Sequence, residues 1–150
     1  MIVESHQVIE EFIQNMKVTR IVQTGYLNVP LTNMLAEHGE VILITSATFN
    51  PFEDKKQVIL TNDHYHKSAY TFKNKHGILD VCVFGHMEQL GDFRATLCAW
   101  VPVIRKNGLI VFLNSQQEDI QKVIKSYIEQ IDADYFEITE CADLTFIKVK

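Results

Sequence analysis

The chain has 150 residues, 47% hydrophobic and 22% charged, with six glycines and three prolines. This composition supports one packed core and excludes disordered, collagen-like and two-domain proteins. Fourteen Lys and Arg against nineteen Asp and Glu give a formal net charge of −5. Basic residues run no longer than Lys55-Lys56 or Arg105-Lys106, whereas a nucleic-acid binder needs a clustered basic face to neutralise phosphates. No apolar stretch approaches membrane-spanning length, so no membrane partner is expected. The N-terminal Met1-Ile2-Val3-Glu4 carries an acid where a secretory signal carries positive charge, and a cytoplasmic location is the expectation. Cys82, Cys98 and Cys141 form no C-x-x-C pair and read as reduced, small core residues.

The elements follow one another without a linker, charge block or repeat. Ser5 is placed to cap a first helix whose apolar positions Val8, Ile9, Phe12, Ile13 and Met16 recur with the helical period. Arg20 to Thr24 reads as a buried strand closed by a turn at Gly25. Pro30 fits the first turn of a helix carrying Leu31, Met34 and Leu35, with Gly39 just past its end. Val41 to Ile44 is an uninterrupted apolar strand, as expected where helices cover both sheet faces. Ser46 to Gln57 lacks a helical stripe and reads as a loop or single turn. Its aromatics Phe49 and Phe52 present two options, a partner surface or a substitute for a missing helix.

Val58 to Leu60 is a short strand, residues 64–74 a weak helix or loop, and Leu79 to Phe84 a buried strand. Asp92 to Ile104 carries Phe93, Leu97, Trp100, Val101 and Ile104 at helical spacing. Pro102 kinks its last turn, and Asn107-Gly108 ends it. Leu109 to Leu113 is a fifth strand. Ser115 and Glu118 have capping-box spacing ahead of the stripe Ile120, Val123, Ile124, Tyr127, Ile128 and Ile131. Tyr135 to Thr139 and Leu144 to Val149 alternate as a hairpin across Cys141-Ala142-Asp143.

Strands alternating with helices and ending in a hairpin predict one α/β domain over residues 1–150. It is Rossmann-like, with a mainly parallel seven-stranded sheet, helices on both faces and a C-terminal antiparallel hairpin. In such sheets the ligand crevice lies at the carboxyl ends of the strands, where strand order reverses. The residues there are Thr24-Gly25, Thr45-Ser46, Asn62-Asp63, Gly85-His86 and Asn114-Ser115.

Leu79 to Gly85, Ala95 to Trp100 and Lys106 to Phe112 together resemble the strand-four acid, helix, Trp, Lys-Pro-Gly-Gly and strand-five pattern of the class I S-adenosylmethionine (SAM) dependent methyltransferases. The likeness is to the branch that modifies small hydroxylated molecules and sugars. It implies SAM as the cofactor, with Gly25, Thr45, Ser46 and Asp63 at the cofactor positions. Where the family has an acid and a Gly-rich turn after strand one, this chain has Gln23-Thr24-Gly25-Tyr26-Leu27. Where the family has a carboxylate for the ribose hydroxyls, it has Thr45 or Ser46, which lack the paired charged geometry. Gly85 and Asn114 stand at positions of further family acids, so no Mg²⁺ or Ca²⁺ site is expected. Asp63 matches the acid that approaches the adenine.

Other residues admit two readings each. His86 is the candidate general base, or a polar residue satisfying its turn. Asp63-His64-Tyr65-His66 has ligands for a transition metal, or is a solvated loop. Glu88 and Asp92 are an acid/base pair or helix-dipole partners. Phe93 and Trp100 belong to the core. The first functional expectation is a methyltransferase-fold protein with a degenerate SAM site, acting in binding or assembly as a homo-oligomer or a subunit of a complex. The alternative is an active SAM-dependent methyltransferase acting on a small hydroxylated or sugar-like substrate. A third is a different small-ligand enzyme in the same crevice.

Overall fold

The computed structural model describes residues 5–25, 27–45, 49–61, 69, 72, 77–85, 90–113, 115, 117–130, 136–141 and 144–149. Seven strands form one sheet: β1 (Arg20–Thr24), β2 (Glu40–Ile44), β3 (Val58–Thr61), β4 (Leu79–Phe84), β5 (Ile104–Phe112), β6 (Phe136–Cys141) and β7 (Leu144–Val149). Their order is β3-β2-β1-β4-β5-β7-β6. The first five strands in that order are parallel, and β7 enters antiparallel between β5 and β6. The described helices are α1 (Ser5–Ile13), α2 (Val29–His38), α3 (Leu90–Trp100) and α4 (Glu118–Gln130).

β4 is buried along its whole length, and β1 and β2 from their second residues onward. Their continuous apolar sequences follow from helices on both faces. Alternate residues feed two cores. Val22, Cys82, Phe84, Ile110 and Phe112 face α3 and α4, together with helical Ala69 and Phe72. Ile21, Val81, Val83, Leu109 and Val111 face α1 and α2. On the first face Phe84 stacks on Phe112 at 5.4 Å between centroids, and Phe93 meets both rings edge-on. Across the second face His38 Nε2 lies 2.9 Å from Glu10 Oε2, joining α2 to α1.

Several boundaries differ from the sequence reading. The helix expected over Asp92 to Ile104 ends at Trp100, and Val101–Val103 form a 3₁₀ turn with Pro102 at its start. Proline presets the backbone for a first turn and lacks the N–H that a continuing helix needs. Strand β5 therefore begins at Ile104, and Asn107-Gly108 lies inside it rather than at a helix end. Leu79 pairs with Ile104 but Val81 with Leu109, so extra residues of β5 bulge out. Asn107 takes φ 64° to make the bulge, a conformation that asparagine tolerates better than most residues. At the other helix, α4 starts at Glu118, whose carboxylate pairs with Lys122 at 3.3 Å.

The loop after β2 resolves its two options by position. Phe52 is 2% exposed and joins the core on the α1 and α2 face, its N–H held by Asn50 Oδ1 at 2.9 Å, whereas Phe49 is 65% exposed. Phe52 thus fills the space of the missing helix, and Phe49 does not. Cys82 is buried, which pushes its thiol up and leaves it inert. Cys98 is exposed on α3, contrary to the expectation of a core residue, because it falls on the outward side of a helix whose inward stripe is Phe93, Leu97 and Trp100.

At the amino ends of the parallel strands, Asp80 holds three elements together. Its Oδ2 accepts the N–H groups of Thr19 at 2.7 Å and Arg20 at 2.9 Å, and its Oδ1 accepts Arg105 Nε. Burial opposes ionisation of this carboxyl. The Arg20 and Thr19 N–H groups and the Arg105 guanidinium outweigh it and hold the carboxyl below the usual carboxylate range. Asp80 sits at the opposite end of β4 from the expected crevice, so this acid of the sequence resemblance is a structural tie.

Candidate functional site

The strand order reverses between β1 and β4, since β2 and β3 continue on one side and β5 on the other. The crevice position is therefore where β1 and β4 end, and three backbone bonds carry the sheet past the strand ends there. Gly25 N–H donates to the Ile44 carbonyl at 3.2 Å, Gly85 N–H to the Thr24 carbonyl at 2.8 Å, and Leu113 N–H to the Phe84 carbonyl at 2.9 Å. Gly25 has φ 109°, a conformation open to glycine and strained for other residues. It turns the chain sharply out of β1 toward α2, whose first turn is set by Asn28 Oδ1 accepting Leu31 N–H at 3.2 Å.

Gly85 is required by proximity. A Cβ there would stand 2.5 Å from the Thr24 carbonyl oxygen and 3.7 Å from Gly25 Cα. The end of β4 is thus closed to a side chain by the approach of β4 to β1. Gly85→Ala should split these strand ends, destabilising the chain by about 2 kcal/mol and lowering Tm by about 4–8 °C. Thermal unfolding followed by circular dichroism measures this.

The side chains at the ends of β1 and β2 are uncharged and turned inward. Gln23 is 1% exposed, and its Oε1 accepts the Thr32 hydroxyl of α2 at 2.7 Å. Thr45, a candidate cofactor residue, is 2% exposed. Leu27 packs against the core on the α1 and α2 face. Thr24, pointing to the opposite face from Gln23, is 1% exposed, and its hydroxyl has no hydrogen-bond partner among the described residues. Its strand neighbours are Ile44 and Phe84, which offer it nothing polar. A buried hydroxyl without a partner costs about 1–3 kcal/mol. Thr24→Val, of the same shape, should therefore raise stability by about 1 kcal/mol, or about 2–4 °C in Tm, read by the same melting experiment.

The structure brings Gly25 and Thr45 together through the Ile44 carbonyl, and Gly25 and Gly85 through Thr24. Ser46, Asp63, His86, Tyr26, Glu88, Asn114 and the Asp63-His64-Tyr65-His66 cluster lie outside the described residues, as does the side chain of Asp92. Phe93 and Trp100 are buried at 4% and 0% exposure, as core residues. The described residues contain no group of three metal-ligating side chains. Thr24 stands among the crevice residues expected from the sequence, but the burial of its hydroxyl away from polar strand neighbours is not legible there. Strand alternation puts Thr24 and Gln23 on opposite faces, but which of them finds a partner depends on where α2 docks.

The chain superposes on a Streptococcus mutans protein described as a methyltransferase, in complex with S-adenosylhomocysteine (SAH), covering 100% of both chains with TM-score 0.78 and 12% identity. Its fold is that of the class I methyltransferases. The O-methyltransferase of Bacillus cereus, also in complex with SAH, matches over 99% of this chain and 83% of its own, with TM-score 0.76 and 14% identity. A Clostridium thermocellum protein described as an rRNA methylase matches over 100% and 98%, with TM-score 0.75 and 15% identity. No family model and no curated protein matches the sequence. At such identities the likeness speaks for the methyltransferase-like fold, and function rests on the site. No helix among the described residues is long and apolar enough to cross a membrane.

Proposed function

We propose that this methyltransferase-like chain has a degenerate SAM site and acts by binding or assembly, as a homo-oligomer or as a subunit of a larger complex. The observation that carries the reading is Gln23. At the position of the family's strand-one acid stands an uncharged amide, buried, with its oxygen already taken by Thr32. The position of the ribose-binding carboxylate is filled by Thr45, buried at 2% exposure, or by Ser46. SAM carries a sulfonium and an ammonium charge, and the described strand ends at this crevice offer no carboxylate to balance them. These residues do not fit the cofactor in its usual mode. Each lost charged hydrogen bond weakens binding by about 1.5–3 kcal/mol, which takes an ordinary micromolar site toward the millimolar range.

Calorimetric titration with SAM and with SAH is the direct test. No heat of binding is expected up to about 1 mM of either ligand, and a dissociation constant of about 10 µM or tighter overturns the proposal. The second reading, an active SAM-dependent methyltransferase acting on a small hydroxylated or sugar-like substrate, is favoured by Gly25. Its φ of 109° preserves the sharp turn out of β1 that lets a backbone approach a ligand. In that reading Gly25, Thr45, Ser46 and Asp63 hold the cofactor, His86 is the base, and no metal takes part. Tight SAH binding lost in a Gly25→Val variant that still folds would support it.

A further inference from the structure

A groove of about 480 Å³ opens at the other end of the sheet, between α1, the β5 bulge and the β6–β7 hairpin. Its apolar lining is Phe12, Met16, Leu109 and Phe146. Phe12 lies parallel on Phe146, ring centroids 3.8 Å apart, and is 37% exposed although it belongs to the apolar stripe of α1. The charged lining is wholly cationic: Lys17, Arg105 and Lys148, in a chain whose net charge is −5. Arg105 is already engaged, through Nε with Asp80, Nη1 with the Lys106 carbonyl and Nη2 with the Lys17 carbonyl. Lys148 stands across from Glu137 in the β6–β7 register. Lys17 makes no ion pair with any described residue, and its main chain is fixed by Arg105.

We propose that this groove is a second ligand site, separate from the crevice, for a small amphipathic carboxylate. The apolar body, an aromatic ring above all, extends the Phe12–Phe146 stack and covers Met16, and the carboxylate meets Lys17 with Lys148 behind it. The volume falls in the range of small-molecule sites rather than of an extended protein interface. An aromatic anion matches both halves of the lining: ring stacking adds to apolar burial, and a cation beside a partly desolvated groove favours negative charge. With the Arg105 guanidinium already bonded, the lining offers the point charges of Lys17 and Lys148 rather than a free guanidinium fork, which suits a monoanion better than a phosphate.

The test uses the ¹⁵N-labelled full chain titrated with 2-naphthoate and, separately, with the uncharged 2-naphthalenemethanol. Saturable binding of 2-naphthoate is expected, with the largest amide shifts at Met16, Lys17, Asn107 and Lys148. The neutral analogue should bind about fivefold more weakly, and Lys17→Gln, an exposed-charge change that leaves the core intact, should weaken naphthoate about fivefold. SAH at about 1 mM should leave the naphthoate affinity unchanged, so the outcome is independent of the crevice reading. The proposal is overturned by equal affinity for the two probes, by shifts centred on Gly25 and Gly85, or by no saturation at about 5 mM. It is equally overturned if sedimentation shows a dimer that protects these same amides and excludes the probe.

Discussion

Asp80→Asn should lower the unfolding free energy at neutral pH by about 3 kcal/mol and Tm by about 6–12 °C. The carboxylate accepts two main-chain N–H groups that begin β1 and pairs with Arg105, with its side chain 10% exposed. An amide keeps one acceptor oxygen, but turns an N–H₂ group toward donors and leaves the guanidinium without its counter-charge. The effect depends on pH with a definite sign. Because the folded-state pKa of Asp80 is lowered, its contribution is fully present above the unfolded carboxyl value of about 3.9 and disappears as pH falls through the folded value. The gap between the parent and Asp80→Asn in urea denaturation should therefore be widest near neutrality and shrink below about pH 4. A gap constant down to strong acid would show that the charge of Asp80 contributes nothing. An Arg105→Met cycle with Asp80→Asn should give a coupling of about 1–3 kcal/mol.

Trp100→Ala should be the most damaging core substitution, costing about 3–5 kcal/mol and about 6–20 °C in Tm. Trp100 is fully buried at the end of α3, where it meets Phe72 edge-on at 5.6 Å between centroids. It also precedes the 3₁₀ turn of Val101–Val103 that delivers the chain into β5. Truncation leaves a cavity bounded by the sheet and by the Phe72 ring, and the strands cannot close on it without breaking sheet pairing. Trp100→Phe retains most of the buried area and should cost about 1–2 kcal/mol. As the single tryptophan of the chain, Trp100 also reports its own environment. Its fluorescence in the parent should be blue-shifted and should move to the red in one step on unfolding. An early red shift ahead of the circular dichroism transition would place the Phe72 region in a separately melting unit.

The legible parts of this chain are those whose signal is local. Leu79 to Phe84 reads as a strand and is one, because six consecutive residues without a charge other than Asp80 serve two cores at once. The stripe of Ile120, Val123 and Ile124 reads as a helix face and is buried as one. Asn107-Gly108 misled because the same residue types end helices and form bulges. Gly108 stands where a Cβ would be 2.9 Å from the Asp80 carbonyl, a contact between residues far apart in the chain. Phe49 and Phe52 are likewise equivalent as letters, and only the tertiary packing buries one in the core and exposes the other.

The candidate site divides along the same line. That Gln23, Thr45 and Gly85 carry no charge is a matter of identity, readable from the letters alone. That Gln23 is bonded to Thr32, that Gly85 is needed for the 2.8 Å bond to Thr24, and that the Thr24 hydroxyl is left without a partner among the described residues are facts of approach between strands and helices. The amino-acid sequence by itself determined the element order, the two-faced burial of the central strands and the uncharged residues Gln23, Thr45 and Gly85 at their ends. Periodicity and residue type act over a few neighbours, and they are written directly in the chain. Tertiary structure decided the order β3-β2-β1-β4-β5-β7-β6, the closure of the crevice floor by Gly85 and the groove beneath α1. Several strand orders satisfy one apolar pattern, and the packing of all the elements together selects among them.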